Sequence, residues 1–198
     1  MPVRRLAVIH FTNGATAQSS IDFWKTKGAK GASAHIVIDR NGDIYQVRPF
    51  NKTCGHAGPV GKSRWQDPNS GNWHDGLNSC SIGIELANAG ADYKTIGRHF
   101  ASGFIEAAHF SEPGRIQQWE KFPDPQIQSL ITLLRMIIIQ YSIDGVATHD
   151  MVSFDRKDDT GPAFPLKKVL KAIGMPTDPL YYYKSDLTKH ILQFNDLK

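Results

Sequence analysis

The 198-residue chain has only two cysteines, no long hydrophobic run and no block of basic residues. Two cysteines cannot build a disulfide framework, and Cys54 and Cys80 form no Cys-x-x-Cys pair, which disfavours a structural zinc site made of thiolates. No stretch of about 18 apolar residues occurs, so we expect no membrane span. Basic runs interleaved with aromatic residues are also missing, so we expect no nucleic-acid partner.

The first residues lack an extended apolar segment. Met-Pro-Val-Arg-Arg leads into a short apolar run that His10 interrupts, which is too short for a signal peptide. This pattern predicts a cytoplasmic protein, with release by phage lysis or by a non-classical secretion route as the alternative. The net charge of +4 fits either a solvated lysine-rich surface or attraction to an anionic partner.

The composition is that of one globular domain. Hydrophobic residues make up 40% of the chain and charged residues 21%. The length suffices for one well-buried domain and is short for two. We therefore assign residues 1–174 to a single domain and residues 175–198 to a C-terminal extension without a predicted role. We expect the chain to be a monomer.

Hydrophobic periodicity predicts alternating strands and helices. Apolar runs or apolar–polar alternation predict strands at Val3–Ile9, Ala34–Asp39, Ile44–Val47, Asn78–Leu86 and Ile143–Thr148. The Asn41-Gly42 pair predicts a hairpin turn. Helical spacing predicts a long helix from Pro125 to Tyr141 capped by Asp124, and shorter helices through Phe23 and Trp24, capped by Ser19 or Ser20, and at Leu166–Ile173.

Two stretches show no hydrophobic periodicity. Residues 51–75 are rich in Gly, Pro, Ser and Asn and predict a long loop. Residues 88–124 predict loops or short helices, in which His99 and His109 are interpreted as surface residues.

Histidines end two of the predicted strands. His10 ends the apolar run of the first strand and His149 follows the last one, so both imidazoles are expected at one rim of the sheet. Asp159 lies ten residues after His149, and two imidazoles with a carboxylate leave a fourth position open, as in catalytic zinc sites. Lys157 is poorly explained as a ligand. It is explained either as a positive charge aimed at an oxyanion or as a solvated residue of a charged run.

Five short motifs together carry a family resemblance. They are Val-Ile-His10-Phe-Thr, Ser-Ala-His35-Ile-Val-Ile-Asp-Arg-Asn-Gly, Cys-Gly-His56-Ala-Gly, Leu-Asn-Ser-Cys-Ser-Ile-Gly-Ile-Glu85-Leu, and Thr-His149 to Gly-Pro-Ala-Phe-Pro165. In this order the sequence resembles the zinc-dependent N-acetylmuramoyl-L-alanine amidases, a superfamily that also holds peptidoglycan-recognition proteins and phage lysozyme-type amidases. The resemblance covers roughly residues 3–165. It implies an α/β fold with a single domain, a central mixed β-sheet flanked by helices, and a Zn²⁺ site at one rim of the sheet.

The resemblance also implies roles for individual residues. His10, His149 and Asp159 would hold zinc, Glu85 would act as general base and acid, and Lys157 would stabilise the oxyanion. Without the resemblance, a carboxylate such as Glu85 in an apolar strand is usually solvent-facing.

Four residues are assigned to substrate binding: His35, His56, Trp65 and Asn78. Two of them have a structural alternative. His35 is otherwise a hydrogen-bonded histidine in or beside the core. Trp65, like Trp73, is otherwise a loop anchor.

The implied reaction is hydrolysis of the amide between N-acetylmuramic acid, or its anhydro form, and L-alanine, with peptidoglycan or a soluble muropeptide as substrate. Three alternatives stay open: a non-catalytic recognition module, a zinc protein built on Cys54 and Cys80, and a phage amidase that also binds a host polymerase. Within the amidase interpretation, a recycling enzyme and a wall-lysing enzyme both fit the sequence.

Overall fold

The computed structural model describes residues 4–91, 102–154 and 156–177. Its nine strands are β1 (Leu6–Phe11), β2 (Ile36–Ile38), β3 (Ile44–Gln46), β4 (Arg64–Gln66), β5 (Trp73–Asp75), β6 (Ser81–Leu86), β7 (Phe104–Ala108), β8 (Ile116–Glu120) and β9 (Gly145–Thr148). Five of them form one sheet in the order β3-β2-β6-β1-β9, in which only β3 runs antiparallel to its neighbour. The predicted mixed sheet is therefore confirmed.

Four α-helices lie within the described residues and accompany the sheet. They are α1 (Ala17–Trp24), α2 (Asp124–Tyr141), α3 (His149–Val152) and α4 (Leu166–Ala172). Neither α1 nor α2 has its N-cap at the residue that the sequence predicted. Thr16, not Ser19 or Ser20, caps α1 and forms a reciprocal capping box with Ser19, while Asp124 is the first residue of α2. None of the helices in the described ranges is long and apolar enough to cross a membrane.

The sheet is covered on both faces, as parallel strands require. Alternation along β1 and β6 places Ile9, Ile84 and Leu86 on the face that packs against α2, with Leu130 and Leu134 of that helix. The opposite face carries a second, smaller apolar cluster. Its members are Leu6, Val8, Ala57, Trp65, Leu77, Ala147 and Val152. Polar side chains on this second face are the ones that build the site described below.

The predicted Asn-Gly hairpin joins β2 and β3 and locks onto α2. Gly42 has φ +93°, and a Cβ atom there would lie 2.8 Å from Ser129 Oγ and 2.9 Å from the Pro125 carbonyl oxygen. Both the backbone angle and the close approach require glycine. The first turn of α2 is thereby fixed against the edge of the sheet.

Two antiparallel pairs occur where the sequence predicted none. β4 and β5 pair within the predicted loop 51–75, and β7 and β8 pair within 88–124, so the prediction of loops or short helices there is wrong. The residues of β7 and β8 do not alternate between apolar and polar types, which explains why periodicity missed them. His99 and residues 178–198 lie outside the described ranges, so the boundary at residue 174 stays a prediction.

Candidate metal centre and active site

Three parallel strands deliver the site residues to one edge of the sheet. β1 lies between β6 and β9, and His10 is the register partner of Glu85 across β1 and β6. Ile9 pairs with Thr148, so His149 follows directly beyond the end of β9. The carboxyl ends of parallel strands form the crevice in which α/β proteins bind ligands. The predicted placement of both histidines at one rim is what the structure shows.

Two imidazoles and one carboxylate converge at this rim. His10 Nδ1 lies 2.9 Å from His149 Nδ1, and Asp159 Oδ2 lies 2.9 Å from each of these nitrogens. All three side chains are buried. A tetrahedral zinc with bonds of about 2.0–2.1 Å places its ligand atoms about 3.3 Å apart, close to this triangle.

The donor set fits a cation better than it fits protons alone. The three ligand atoms form a triangle, and a hydrogen bond between any two of them needs one proton between those two atoms. If Asp159 accepts from both Nδ1 atoms, the edge between His10 and His149 brings two donors together. One cation inside the triangle satisfies all three lone pairs at once. The group His10, His149 and Asp159 can therefore hold a metal ion.

Electrostatics at Asp159 and His10 agree with this assignment. Burial alone would raise the pKa of Asp159, but hydrogen bonds and charge from His10 and His149 outweigh it and hold that pKa well below its usual range. Burial, assisted by the neighbouring His149, lowers the pKa of His10 to about 4. A neutral imidazole beside an ionised carboxylate is the protonation state that a metal requires.

Glu85 and Lys157 act on the same rim. Burial, and then the charge of Asp159, raises the pKa of Glu85 well above its ordinary value, while the charge of Lys157 opposes this shift. Lys157 is half-buried, and its charge also acts on His10. A carboxyl with a raised pKa next to a candidate metal site is suited to accept and return protons.

A groove of about 740 Å³ lies between the β7–β8 pair and two of the segments that carry the ligands. Its walls are the segments that flank the ligands and the β7–β8 pair, which contribute Phe11, Asn13, Asp158, Ser111, Arg115 and Gln117. Phe11 and Asp158 are the sequence neighbours of His10 and Asp159, so the groove borders the segments that carry two of the three ligands, although the ligands themselves do not line it.

His109 was interpreted as a surface residue, and that interpretation is wrong. Its side chain is buried, with Nε2 3.2 Å from Asp150 Oδ2 and Nδ1 2.7 Å from Ser111 Oγ. Asp150 also accepts from Thr148, and its backbone N–H donates to the Asp159 carbonyl. His109 thus ties the groove wall to the segment that carries His149. No periodicity marks this contact in the sequence, because it joins the residue after β7 to a distant residue of α3.

Two residues predicted to bind substrate lie in the interior instead. His35 is fully buried; its Nδ1 accepts from the Gly83 N–H at 3.0 Å and its Nε2 donates to the Lys52 carbonyl at 2.9 Å. Trp65 is 1% exposed and belongs to the apolar cluster on the second face of the sheet. Both placements speak against substrate contact and support the structural alternatives.

The other two predicted substrate residues stand behind His10. His56 is buried, and its Nδ1 lies 3.0 Å from His10 Nε2, on the side of the ring away from Asp159. Asn78 Oδ1 accepts the backbone N–H groups of His56, Ala57 and Gly58. Both ring nitrogens of His56 and the Oδ1 atom of Asn78 are engaged inside the protein, and the contact of these two residues with substrate stays a prediction.

The remaining side chains that the sequence singled out take no part in the site. Cys54 and Cys80 are free thiols, which removes a disulfide between them. Trp73 is partly exposed, and the Arg64 guanidinium lies 5.0 Å from the centre of its ring. That contact lies on the β4–β5 pair, outside the groove.

Solved structures resemble this chain over most of its length. AmpDh3 from Pseudomonas aeruginosa, in complex with anhydromuramic pentapeptide, is 26% identical with a TM-score of 0.64, over 88% of this chain and 61% of that one. AmiD from E. coli, in complex with anhydro-N-acetylmuramic acid-L-Ala-D-gamma-Glu-L-Lys, is 29% identical with a TM-score of 0.61, over 88% and 58%.

Curated relatives carry related names. N-acetylmuramoyl-L-alanine amidase AmiD of Escherichia coli is 30% identical over 177 residues, which are 85% of this chain and 52% of the relative. 1,6-anhydro-N-acetylmuramyl-L-alanine amidase AmpD of Salmonella typhimurium is 32% identical over 134 residues, 67% of this chain and 52% of the relative. The chain thus spans about half the length of these relatives.

A family model covers the strands and loops that build the site. The model described as N-acetylmuramoyl-L-alanine amidase matches residues 1–162, a range that includes His10, Glu85, His149 and Asp159. Since this match spans far more than half of the chain, the protein belongs to the Amidase_2 family of N-acetylmuramoyl-L-alanine amidases.

Proposed function

We propose that this chain is a zinc-dependent hydrolase that cleaves the amide bond between N-acetylmuramic acid, or its anhydro form, and L-alanine of the peptidoglycan stem peptide. One observation carries the proposal: three ligand atoms with mutual distances of 2.9 Å lie on the strand edge that also presents Glu85. A recognition module needs no such set. Family membership supports the reaction class.

The ligands proposed for Zn²⁺ are His10, His149 and Asp159. When bound, zinc supplies a positive charge that acidifies water and polarises a carbonyl. Glu85 lies beside His10 on the adjacent strand. Its raised pKa suits it to take a proton from the attacking water and return it to the departing alanine nitrogen. Lys157 contributes a fixed positive charge against the oxyanion of the tetrahedral intermediate.

The proposed substrate is a soluble anhydro-muropeptide. Two structures that resemble this chain hold ligands of that class, an anhydromuramic pentapeptide and an anhydro-N-acetylmuramic acid tripeptide. The groove is lined by the β7–β8 pair, and polar side chains such as Asn13, Arg115 and Gln117 offer partners to a peptide backbone and its carboxylates. Intact peptidoglycan is the competing substrate. Which of the two substrates is cleaved would indicate the cellular compartment in which the protein acts.

The test is a cleavage assay on a defined anhydro-muropeptide with product masses read by mass spectrometry. We expect a stem peptide with a free alanine amine, lost on chelation and restored by zinc. The variant Asp159→Ala should lose both metal and cleavage, while Lys157→Met should keep the metal and lose about 100-fold in kcat. Zinc binding without cleavage of anhydro-muropeptides or sacculi would contradict the amidase proposal and favour a recognition module.

A further inference from the structure

The second nitrogen of the His10 ring faces a chain of buried polar groups that the proposed chemistry does not use. His10 Nε2 lies 3.0 Å from His56 Nδ1, and His56 Nε2 lies 3.1 Å from Ser81 Oγ. The Ser81 hydroxyl in turn donates to the carbonyl oxygen of Leu77. The His10, His56 and Ser81 side chains are all buried, so water does not compete for these contacts.

Only one placement of the protons satisfies this chain. The Leu77 carbonyl can only accept, so it takes the single hydrogen of the Ser81 hydroxyl. Ser81 Oγ then accepts from His56 Nε2, which leaves Nδ1 of a neutral His56 as an acceptor. His10 must therefore carry its proton on Nε2 and donate it to His56. The other nitrogen, Nδ1, is left with a lone pair that points at His149 and Asp159.

We propose that His56 and Ser81 form a positioning relay that fixes the tautomer of His10 and presents its Nδ1 atom to the metal. In this account His56 is not a substrate contact. His56 would instead act on the metal indirectly, by holding the His10 ring, as groups that hydrogen-bond a ligating histidine commonly do. The inference rests on the proposed metal centre but not on the amidase reaction.

The surrounding backbone is shaped to hold His56 in this place. Three consecutive N–H groups, those of His56, Ala57 and Gly58, converge on Asn78 Oδ1 at 3.0, 2.8 and 3.0 Å. A Cβ atom at Gly83 would lie 2.5 Å from Cγ of His56, so only glycine on β6 leaves room for the ring. The relay thus gives one common role to Asn78 and Gly83, which belong to the same sequence motif.

The experiment measures the dissociation constant of zinc by competition with a chromophoric chelator. His56→Leu removes the acceptor and should weaken zinc binding by about 10- to 100-fold. His56→Asn keeps an oxygen near the position of Nδ1 and should recover most of the affinity. Ser81→Ala leaves the ring in place but frees its tautomer, so we expect a smaller loss of a few-fold.

The matched control is His35→Gln. His35 is a buried histidine whose ring centre lies 5.8 Å from that of His56, but it contacts no proposed ligand. This variant should lose stability and keep its zinc affinity. Equal zinc affinity in His56→Leu and the parent protein, or an equal loss in His35→Gln, would overturn the relay.

A second readout does not depend on how the variants fold. Nitrogen-15 chemical shifts of the zinc-loaded parent protein should identify His10 and His56 as Nε2–H tautomers. A proton on Nδ1 of His56 would contradict the assignment. Failure of the parent protein to bind zinc would overturn the metal centre and the relay together, whereas zinc binding without amidase activity would leave the relay intact.

Discussion

At the residue scale, one oxygen of Glu85 stands out. Glu85 Oε2 is buried, and no hydrogen-bond donor contacts it within the described ranges. Its neighbours on β6, Ile84 and Leu86, belong to the core on the far face of the sheet. Because a buried carboxylate without donors binds a proton readily, this oxygen is suited to the proton transfer proposed for Glu85.

The first prediction concerns the variant Glu85→Gln. The amide keeps the size of the side chain but cannot accept a proton, so kcat for muropeptide hydrolysis should fall about 100- to 10,000-fold. Zinc content, measured by metal analysis, should stay at the level of the parent protein because Glu85 is not a ligand. A variant that retains full turnover would remove Glu85 from the mechanism.

The second prediction concerns the pH dependence of stability. Burial, with help from Arg4 and Arg48 and against a hydrogen bond to Lys52, lowers the pKa of His35 from 6.5 to about 4. Between these two values the unfolded chain holds a proton on His35 that the folded chain lacks. The contribution of His35 is therefore complete above pH 6.5 and is lost as the pH falls toward 4.

Urea unfolding measured from pH 4 to pH 7 tests this effect. His35→Gln should reduce the slope of unfolding free energy against pH by up to about 1.4 kcal/mol per pH unit in that window. Phe50→Leu, which alters a ring packed on His35 without removing a titrating group, should lower stability and leave the slope unchanged. Identical slopes in His35→Gln and the parent protein would refute the buried neutral state.

Single residues were predictable where their position follows from a strand end. His10 and His149 each come directly after an apolar run, Asp159 follows His149 by ten residues and has the chemistry of a ligand, and the resemblance of the motifs added the role of Glu85. The roles of His56 and His109 were not predictable in this way. Each depends on a contact with a residue more than 20 positions away, which neither spacing nor composition encodes.

At the element scale, β8 is joined to the turn between β2 and β3 by a buried ion pair. Arg40 Nη2 lies 2.7 Å from Glu120 Oε2, and the Glu120 side chain is fully buried. The same oxygen accepts the Ala89 N–H, and Arg40 also donates to the Ala15 carbonyl. One pair thus holds the loop after β1, the segment after β6 and the groove-lining β7–β8 pair together.

The third prediction is that breaking this pair is costly. Arg40→Met removes a cation that contacts the buried Glu120 carboxylate and should lower the free energy of unfolding by up to about 3 kcal/mol, as measured by denaturant titration. The double variant with Glu120→Gln should recover part of that loss, since the buried carboxylate charge is then removed as well. Lys25→Met, which breaks an exposed ion pair with Asp22, serves as the control and should change little. A loss no larger than that of the control would contradict the account.

Elements with a strong local signal were predicted well. The Asn-Gly turn gave the β2–β3 hairpin, and helical spacing gave α2 to within one residue of its ends. The β7–β8 pair was missed because its faces are only partly buried and its sequence, Phe-Ile-Glu-Ala-Ala opposite Ile-Gln-Gln-Trp-Glu, follows no period of two. It forms through cross-strand pairing and the burial of Trp119, which are tertiary effects.

At the scale of the whole molecule, the proposed metal would tie together parts of the chain that are far apart in sequence. His10 and His149 are separated by 139 positions and come from adjacent strands, and Asp159 comes from the loop beyond α3. The strands of the sheet were predictable because each carries its own signal, and the mixed arrangement was implied by the family resemblance. The strand order was not predictable, since it depends on which apolar faces meet once the chain is folded.

The fourth prediction follows from this arrangement. A ligand that binds only the folded state stabilises it, by about 2.7 kcal/mol at 100 times its dissociation constant. For a chain of this length that shifts Tm upward by about 5–10 °C. Calorimetry of the parent protein with zinc and with chelator should show this difference, and Asp159→Ala should show none. A parent protein whose Tm is the same with zinc and with chelator would contradict the proposed site.

The most direct test of the central claim is a zinc titration of the metal-free protein followed by muropeptide hydrolysis. We predict that activity rises in proportion to added zinc and reaches a plateau at about one equivalent per chain, the number that one three-ligand site can hold. Activity that is full before zinc is added to a verified metal-free sample, or that stays absent beyond one equivalent of bound zinc, would contradict the account.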